Sequence, residues 1–378
     1  MSNTILWLRA ETKAYEERTP VTPSVAQKLI DAGFELVVER STARVFADED
    51  YAAAGCVLAE AGAWRKSPEQ AIILGLKELD PAFGPFTRRH VHFAHVYKEQ
   101  AGWQGTLEAF RQGGGTLYDL EYLVDDQGRR VAAFGYWAGF VGAATAVLAY
   151  AGQQQRKLPS LDALSAWPDR DALIVEVQEQ LSQSCALPGA LPSALVIGAL
   201  GRCGRGACEL LQACDLQVTQ WDMNETAAGG PFDEVLTHHL LINCVFVGAP
   251  NPPFTTHNHL LCDQRTLSVI ADVSCDPTGQ FNPLPIYHSC TTMDHPVARL
   301  LESAGKAPAL DLIAIDHLPS LLPRESSEDF ANQLLPHLLT LNQLDTGIWR
   351  RAESVFQHHV DRLSTCSANS ERYQSDEQ

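Results

Sequence analysis

Residues 71–80, AIILGLKELD, end an apolar run with Lys77 and Glu78. The run Ala71 to Leu76 reads as a short buried strand bounded by charge. Carboxyl ends of strands are where α/β proteins bind their ligands. A lysine there acts as a base if burial or a nearby cation disfavours its ammonium. Further on, HVHFAHVY reads as another strand and carries His92 and His95, with Lys98 just after it. Histidine exchanges protons close to neutral pH, and spacing alone does not choose between His92 and His95.

A second chemical signal lies in VIGALGRCGRGA, residues 196–207. A dinucleotide fingerprint needs a strand, G-x-G-x-x-G, a helix, and an acidic residue some way on. Gly201 and Gly204 supply the second and third glycines, Ala199 stands at the first position with Gly198 before it, and Asp222 ends the next strand in QVTQWD. Glycine at 201 lets backbone N–H groups approach a pyrophosphate at a helix N-terminus. Asp222 would accept from the ribose hydroxyls and repel a 2′-phosphate, which favours NAD over NADP.

These residues need elements to position them. TILWLR is a strand; Thr22 and Pro23 have the form of an N-cap and first helical position, with a helix to about Ala32. FELVVER, AIILGL, HVHFAHVY and GGGTLYDLEYL are strands, with helices at residues 48–54 and 107–112 between them. This β-α-β alternation predicts a parallel α/β domain over about the first 130 residues. A second alternation starts at ALVIG and continues through LQVTQWD, LLINCVFV, LSVIADVS and LIAIDHLP. SEDFANQLLPHLLTL, with Ser326 as cap, and GIWRRAESVFQHHVDRL return to helix. The uncharged stretch FGYWAGFVGAATAVLAYAG carries Gly135-xxx-Gly139, a close-packing motif. Its Gly and Ala content and lack of a basic flank predict a helix buried between domains, not a membrane span.

Composition narrows the function. The 378 residues suit two domains. A net charge of -18 argues against nucleic acid or an anionic membrane as partner and leaves small molecules. Ten cysteines without CxxC or zinc spacing fit a reducing cytoplasm, and the acidic start is no signal peptide. The pairs His238-His239, His257-x-His259 and His358-His359 lack carboxylate or cysteine neighbours at ligand spacing, so no metal is expected.

LRAETKAYEERTPVTP, ILGLKEL, HFAHVYKEQAGWQ, GTLYDLEYLVDDQGRRVAAFGYWAGF, VIGALGRCGRGA, WDMNET with GGPFDE, and IDHLPSLLPRESS follow one another from residue 7 to beyond 330. In these strings the chain resembles saccharopine dehydrogenases of the NAD-dependent, L-lysine-forming type, within the alanine dehydrogenase superfamily. The resemblance implies an α/β fold of two Rossmann-like domains with parallel sheets, an interdomain cleft, and C-terminal helices returning to the first domain. The implied division is a substrate domain of residues 1–134 plus about 325–365, an NAD domain of 135–324, and a flexible tail at 366–378. It implies reversible oxidative cleavage of saccharopine to L-lysine and 2-oxoglutarate, the last step of the α-aminoadipate route to lysine, by a monomer. Two other readings stay open: an NAD-dependent opine or imine dehydrogenase with another amino acid partner, and a non-catalytic NAD sensor.

By the same resemblance Lys77 and His95 are the acid–base pair, with Glu16, Glu121 and Lys98 in support. Arg18 and Arg130 match substrate-carboxylate positions, where arginine suits bidentate binding. Gln100, Phe134 and Ser274, Cys275 and Asp276 match other substrate contacts. Arg129, Gly201, Arg202, Asp222, Thr226, Phe246, Val273, Ile315, Asp316, His317 and Leu318 match cofactor positions. Phe246 stands where the family often has tyrosine. Cys203 and Cys244 occupy places where some relatives form a disulfide, and thiols are expected here in a reducing cytosol.

Overall fold

Continuous apolar runs such as ILWL, IIL and SALVI are the mark of strands buried on both faces, and they build two parallel-dominated sheets. The computed structural model describes residues 4–98, 100, 102–184, 191–245, 247–250 and 252–375. The chain divides into two units, Met1–Ala133 with Ser326–Gln378, and Phe134–Glu325.

The first unit opens with β1 (Ile5–Leu8), α1 (Pro23–Asp31), β2 (Glu35–Glu39), α2 (Asp48–Ala53) and β3 (Val57–Ala59). It continues with β4 (Ile72–Leu74), β5 (Arg89–His92), α3 (Trp103–Gly113) and β6 (Thr116–Asp119). Its six strands run in the order β3-β2-β1-β4-β5-β6 and every adjacent pair is parallel. Thr22 caps α1 by accepting from Val25 N, with Pro23 at the first position, as the sequence predicts.

The second unit begins with α4 (Gly135–Gln154), α5 (Arg170–Ser184), β7 (Ser193–Ile197), α6 (Arg202–Ala213), β8 (Gln217–Trp221) and the short α7 (Met223–Thr226). Then come α8 (Asp233–Thr237), β9 (Leu240–Asn243), α9 (His257–Leu260), β10 (Val269–Asp272), β11 (Ala298–Leu301) and β12 (Leu310–Ile313). The sheet order is β11-β12-β10-β9-β7-β8, parallel except for the β11 edge. The antiparallel β11 carries no strong period in the sequence and was not anticipated there. One core lies on the α4 side of this sheet, with Val147, Val196, Ile242 and Ala271; the other holds Leu195, Leu241, Ile270 and Leu312.

Helix α4 is the uncharged stretch, and it is the central helix of the second unit's own core. It packs on α6 through glycines: a Cβ on Gly139 would meet Cys203 O at 1.9 Å, and one on Gly206 would meet Tyr136 O at 1.9 Å. Gly135 has no such crowding, its nearest neighbour being Arg202 Cδ at 3.7 Å. Among the described residues no helix is long and apolar enough to cross a membrane.

The chain returns to the first unit through α10 (Pro323–Leu338) and α11 (Gly347–Ser375). Phe356, Val360 and Leu363 of α11 share a core with Ile73, Phe110 and Leu117. One expectation changes here. Helix α10 starts at Pro323, whose fixed φ is preorganised for a first turn, so Ser326 lies inside the helix and is not its cap. Helical backbone continues to Ser375.

Candidate active site

Strands β4 and β5 are parallel neighbours, with Leu74 opposite Val91. Their ladder continues past both strand ends through Gly75 N to Val91 O and Phe93 N to Leu76 O, each 3.0 Å. Lys77 and His95 therefore follow adjacent strands at the same edge of the sheet. The expected strand HVHFAHVY stops at His92, and His95 sits beyond it in a left-handed backbone conformation with φ 55°. His92 and His95 are consequently not equivalent. His92 is fully buried with both ring nitrogens unpartnered, whereas His95 is exposed. The two histidines thus differ in burial, a difference that spacing does not show.

Each of the two residues has its own carboxylates. Glu16 accepts from Arg18 Nε at 2.7 Å and from Arg18 Nη2 at 2.6 Å, and its Oε2 stands 3.9 Å from Lys77 Nζ. Burial alone would raise the Glu16 carboxyl, but the Arg18 charge and hydrogen bonds, with Lys77 behind them, hold it below the usual range. The fork of Arg18 expected to grip a substrate carboxylate is thus engaged by Glu16, because a buried carboxylate two residues away needs a bidentate partner. On the His95 side, Glu121 takes Lys98 Nζ at 2.8 Å. Against the raising effect of burial, Lys98 first, then Arg130 and His95, hold Glu121 below its ordinary range. Glu78 is held down likewise by Lys13, at 2.6 Å, and by the His95 charge. Lys13 and Glu78 did not stand out in the sequence, although Glu78 directly follows Lys77.

A deeper layer fixes the backbone at these strand ends. Glu11 Oε1 accepts from Leu76 N at 2.7 Å and its Oε2 from Lys77 N at 3.1 Å. Arg9, 2% exposed, pairs with Glu11 at 3.2 Å and donates to Lys77 O. The guanidinium lies across Gly75, where a Cβ would meet Arg9 Nε at 2.2 Å. Opposite, Asp119 accepts from Ala94 N at 3.3 Å and from Glu121 N at 2.9 Å. No local motif announces Arg9, Glu11 or Asp119; only strand order brings them here.

The remaining first-unit positions scatter. Gln100 lies just before α3 with its side-chain amide oxygen Oε1 buried and unpartnered. Arg129 and Arg130 close a tight turn bridged from Val124 to Arg130, and Arg129 pairs with Asp125 at 2.9 Å. Arg130 reaches Glu121 electrostatically.

In the second unit the glycine turn joins β7 to α6. Gly198 has φ 84°, and a Cβ on Gly204 would meet Gly198 O at 2.1 Å, so helix and strand approach closely. Gly201 is the N-cap of α6, and a Cβ there would meet only Gly198 O at 3.3 Å. That leaves room for an anion above the helix N-terminus. Asp222 ties this turn to the end of β8: its Oδ2 accepts from Leu200 N at 2.9 Å and its Oδ1 from Met223 N at 2.9 Å. A carboxylate keeps acceptor sites beyond those two bonds. The turn, the open N-terminus and the acidic strand end fit NAD.

Thr226 closes α7 by donating to Asp222 O at 2.9 Å, and Arg202 is the exposed first residue of α6. Val273 packs against Gly142, where a Cβ would meet Val273 Cγ2 at 2.6 Å. Phe134 stands at the N-cap position of α4 without a side-chain capping bond. Ser274 donates to Asp272 at 2.6 Å; Cys275, at φ 47°, has its sulfur 3.0 Å from that of Cys290; Asp276 shares the same loop. In the run 315–318, Ile315 and Leu318 turn their side chains into the core, so they offer a ligand only backbone, while Asp316 is exposed and His317 half-buried. Cys203 and Cys244 are free, and the hydrogen bond that the Cys244 thiol gives Cys203, then burial, push that thiol well above its ordinary range. Phe246 lies outside the described residues. A cavity of about 280 Å³ near Lys157, Ser160 and Trp167 touches none of these positions.

Residues 7–141 match the family model for the alanine dehydrogenase/PNT N-terminal domain. The chain is 47% identical over 95% of its length to the saccharopine dehydrogenase [NAD(+), L-lysine-forming] of Yarrowia lipolytica, covering 98% of that protein. It is 45% identical to the Neurospora crassa enzyme of the same name, over 96% of this chain and 98% of that one. In fold it is similar to a solved L-alanine dehydrogenase, with a TM-score of 0.64 at 19% identity over 94% of each chain. It is also similar to a transhydrogenase from Sinorhizobium meliloti, with a TM-score of 0.61 at 16% identity over 92% of this chain and 97% of that one.

Proposed function

The chain belongs to the family of NAD-dependent, L-lysine-forming saccharopine dehydrogenases, and from that premise we propose that Lys77 and His95 move the protons of its reaction. It is an oxidoreductase that uses NAD to cleave L-saccharopine reversibly to L-lysine and 2-oxoglutarate. The observation that carries the residue assignment is the placement of Lys77 and His95 just past the adjacent strands β4 and β5, each with carboxylate neighbours.

NAD, when bound, supplies the acceptor for the hydride that leaves the α-carbon of saccharopine. The residues of the chain do the rest. The secondary amine must be neutral before that hydride leaves. Lys77, with its side chain only 13% exposed and flanked by Glu16, is the base that takes the amine proton. The resulting imine is attacked by water, and the carbinolamine collapses to lysine and the keto acid. His95, exposed at the strand edge, takes a proton from the water and delivers one to the departing amine. Glu78 and Glu121 stabilise the imidazolium formed in between. Arg18 acts through Glu16, keeping it ionised beside Lys77. In this reading Arg130, Gln100 and the loop at Ser274, Cys275 and Asp276 bind the substrate's polar groups, and Phe134 offers its carbon chain an apolar contact. The α6 N-terminus at Gly201 and Arg202, with Asp222, Thr226, Val273 and the backbone at 315–318, binds NAD, and Arg129 adds a cation.

The reading includes work as a monomer in a reducing cytoplasm, with neither nucleic acid nor membrane as partner; the net charge of -18 supports that exclusion. NADH oxidation with 2-oxoglutarate and L-lysine tests it, with ornithine, alanine and pyruvate replacing each partner in turn. Turnover confined to lysine plus 2-oxoglutarate is expected. Equal turnover with another amine would reject the substrate assignment.

A further inference from the structure

The four strand ends β1, β4, β5 and β6 stand side by side in the sheet. The two inner ones lead to Lys77 and His95, and the two outer ones bring buried carboxylates that bond inward to the loops of the inner pair. Glu11 holds the Leu76 and Lys77 amides. Asp119 does the corresponding work for His95, and with a wider reach.

Asp119 is the last residue of β6, opposite His92, and 1% exposed. Its Oδ2 accepts from Ala94 N, immediately before His95, and its Oδ1 accepts from Glu121 N. The backbone beside it is locked as well, with Leu120 N on His92 O at 3.1 Å and Tyr122 N on Asp119 O at 2.9 Å. His95 needs such support because a non-glycine residue at φ 55° is in a costly conformation. Glu121 in turn holds Lys98. A single carboxylate therefore sets the backbone beneath His95 and beneath the Glu121–Lys98 pair.

We propose that Asp119 is a positioning residue for proton transfer, its two oxygens fixing the His95 loop and Glu121 in one arrangement, with Glu11 as its counterpart for Lys77. Asp119 touches neither reacting atom in this account. The proposal rests on the reading of His95 as a proton carrier. Burial, more than the two amides can offset, pushes the Asp119 carboxyl up to about 7, so its bonds to the loops depend on pH near neutrality. The charged and titratable groups around it are Glu121 and Lys98, with Tyr97 and Tyr122 on the ring side and His92 on β5.

Asp119→Asn in the full chain tests this. It keeps the shape but turns one acceptor into a donor facing a backbone N–H. The His95 ring is followed by NMR with carbon-labelled histidine, its signal assigned by its loss in His95→Gln. The expected result is a folded protein with wild-type NAD binding, a kcat about 10- to 100-fold lower, and a His95 signal moved or broadened. If Asp119→Asn does not fold, Asp119→Ser, whose hydroxyl still accepts from one amide, is expected to give the same pattern. Wild-type kcat, or a fall in kcat with the His95 signal unmoved, would overturn the proposal. The two readings fail separately. Wild-type turnover in His95→Gln would remove His95 from the chemistry and Asp119's role in proton transfer with it. The NMR comparison would still report whether Asp119 places the loop.

Discussion

Glu16 Oε2 lies 3.9 Å from Lys77 Nζ, with both groups nearly shut off from water. A negative charge so placed favours the ammonium form of its neighbour and so opposes its use as a base. Arg18 counters this by drawing the same carboxylate into a two-point hydrogen bond. The basicity of Lys77 thus depends on a three-member cluster.

Glu16→Gln is expected to move the limb of the pH–rate profile that reports Lys77 to lower pH. The shift comes from removing the charge that favours the ammonium. A profile that stays in place would show that Glu16 is not coupled to the group titrating in turnover.

The glycine turn makes two different predictions for one substitution. Gly204→Ala puts a methyl 2.1 Å from Gly198 O and 2.5 Å from Ala199 Cα, both backbone, so the second unit is destabilised by about 2 kcal/mol or more. Gly201→Ala meets only one atom at 3.3 Å, so the fold is kept and the space for a pyrophosphate shrinks. Its KM for NAD is expected to rise about tenfold with melting unchanged. Thermal melts beside NAD titrations of both variants check this; equal effects on both properties would contradict it.

Acid stability has a predicted sign. His90 is buried among Trp64, Phe86 and Phe110, and burial pushes its imidazole down to about 3. The folded state keeps it neutral while the unfolded chain takes up a proton below about 6.5. The unfolded state then binds more protons, so this contribution is complete above pH 6.5 and shrinks as pH falls toward 3, by about 1.4 kcal/mol per pH unit. Asp119 works oppositely: raised to about 7, it binds more protons folded than unfolded and favours the fold as pH falls toward 3.8. Urea unfolding of wild type and His90→Phe at pH 7 and pH 5 isolates the histidine. The variant is expected to lose less stability on acidification, and an equal loss would contradict the assignment.

How far the sequence reaches is visible at the strand ends. AIILGL and ALVIG are apolar throughout, so strand and parallel sheet are legible from these runs, and Thr22-Pro23 announces a helix start that the structure has. His95 was legible as a residue but not as a conformation, because a left-handed loop residue after β5 has no signature in FAHVYK. The pairing of Arg18 with Glu16 is not legible, because nothing in EERTP says that Glu16 will be buried with it. Arg9, Glu11 and Asp119 were missed for another reason. Each bonds to a loop far from it in the chain or on a neighbouring strand, and only the order β1-β4-β5-β6 makes them neighbours.

The most direct test of the central claim is turnover of Lys77→Met and His95→Gln with saccharopine and NAD across a range of pH. The account predicts folded proteins that bind NAD as wild type does. It predicts kcat about 100-fold lower in each, and loss of one limb of the pH profile in each variant. Wild-type kcat with both limbs intact in either variant would contradict it.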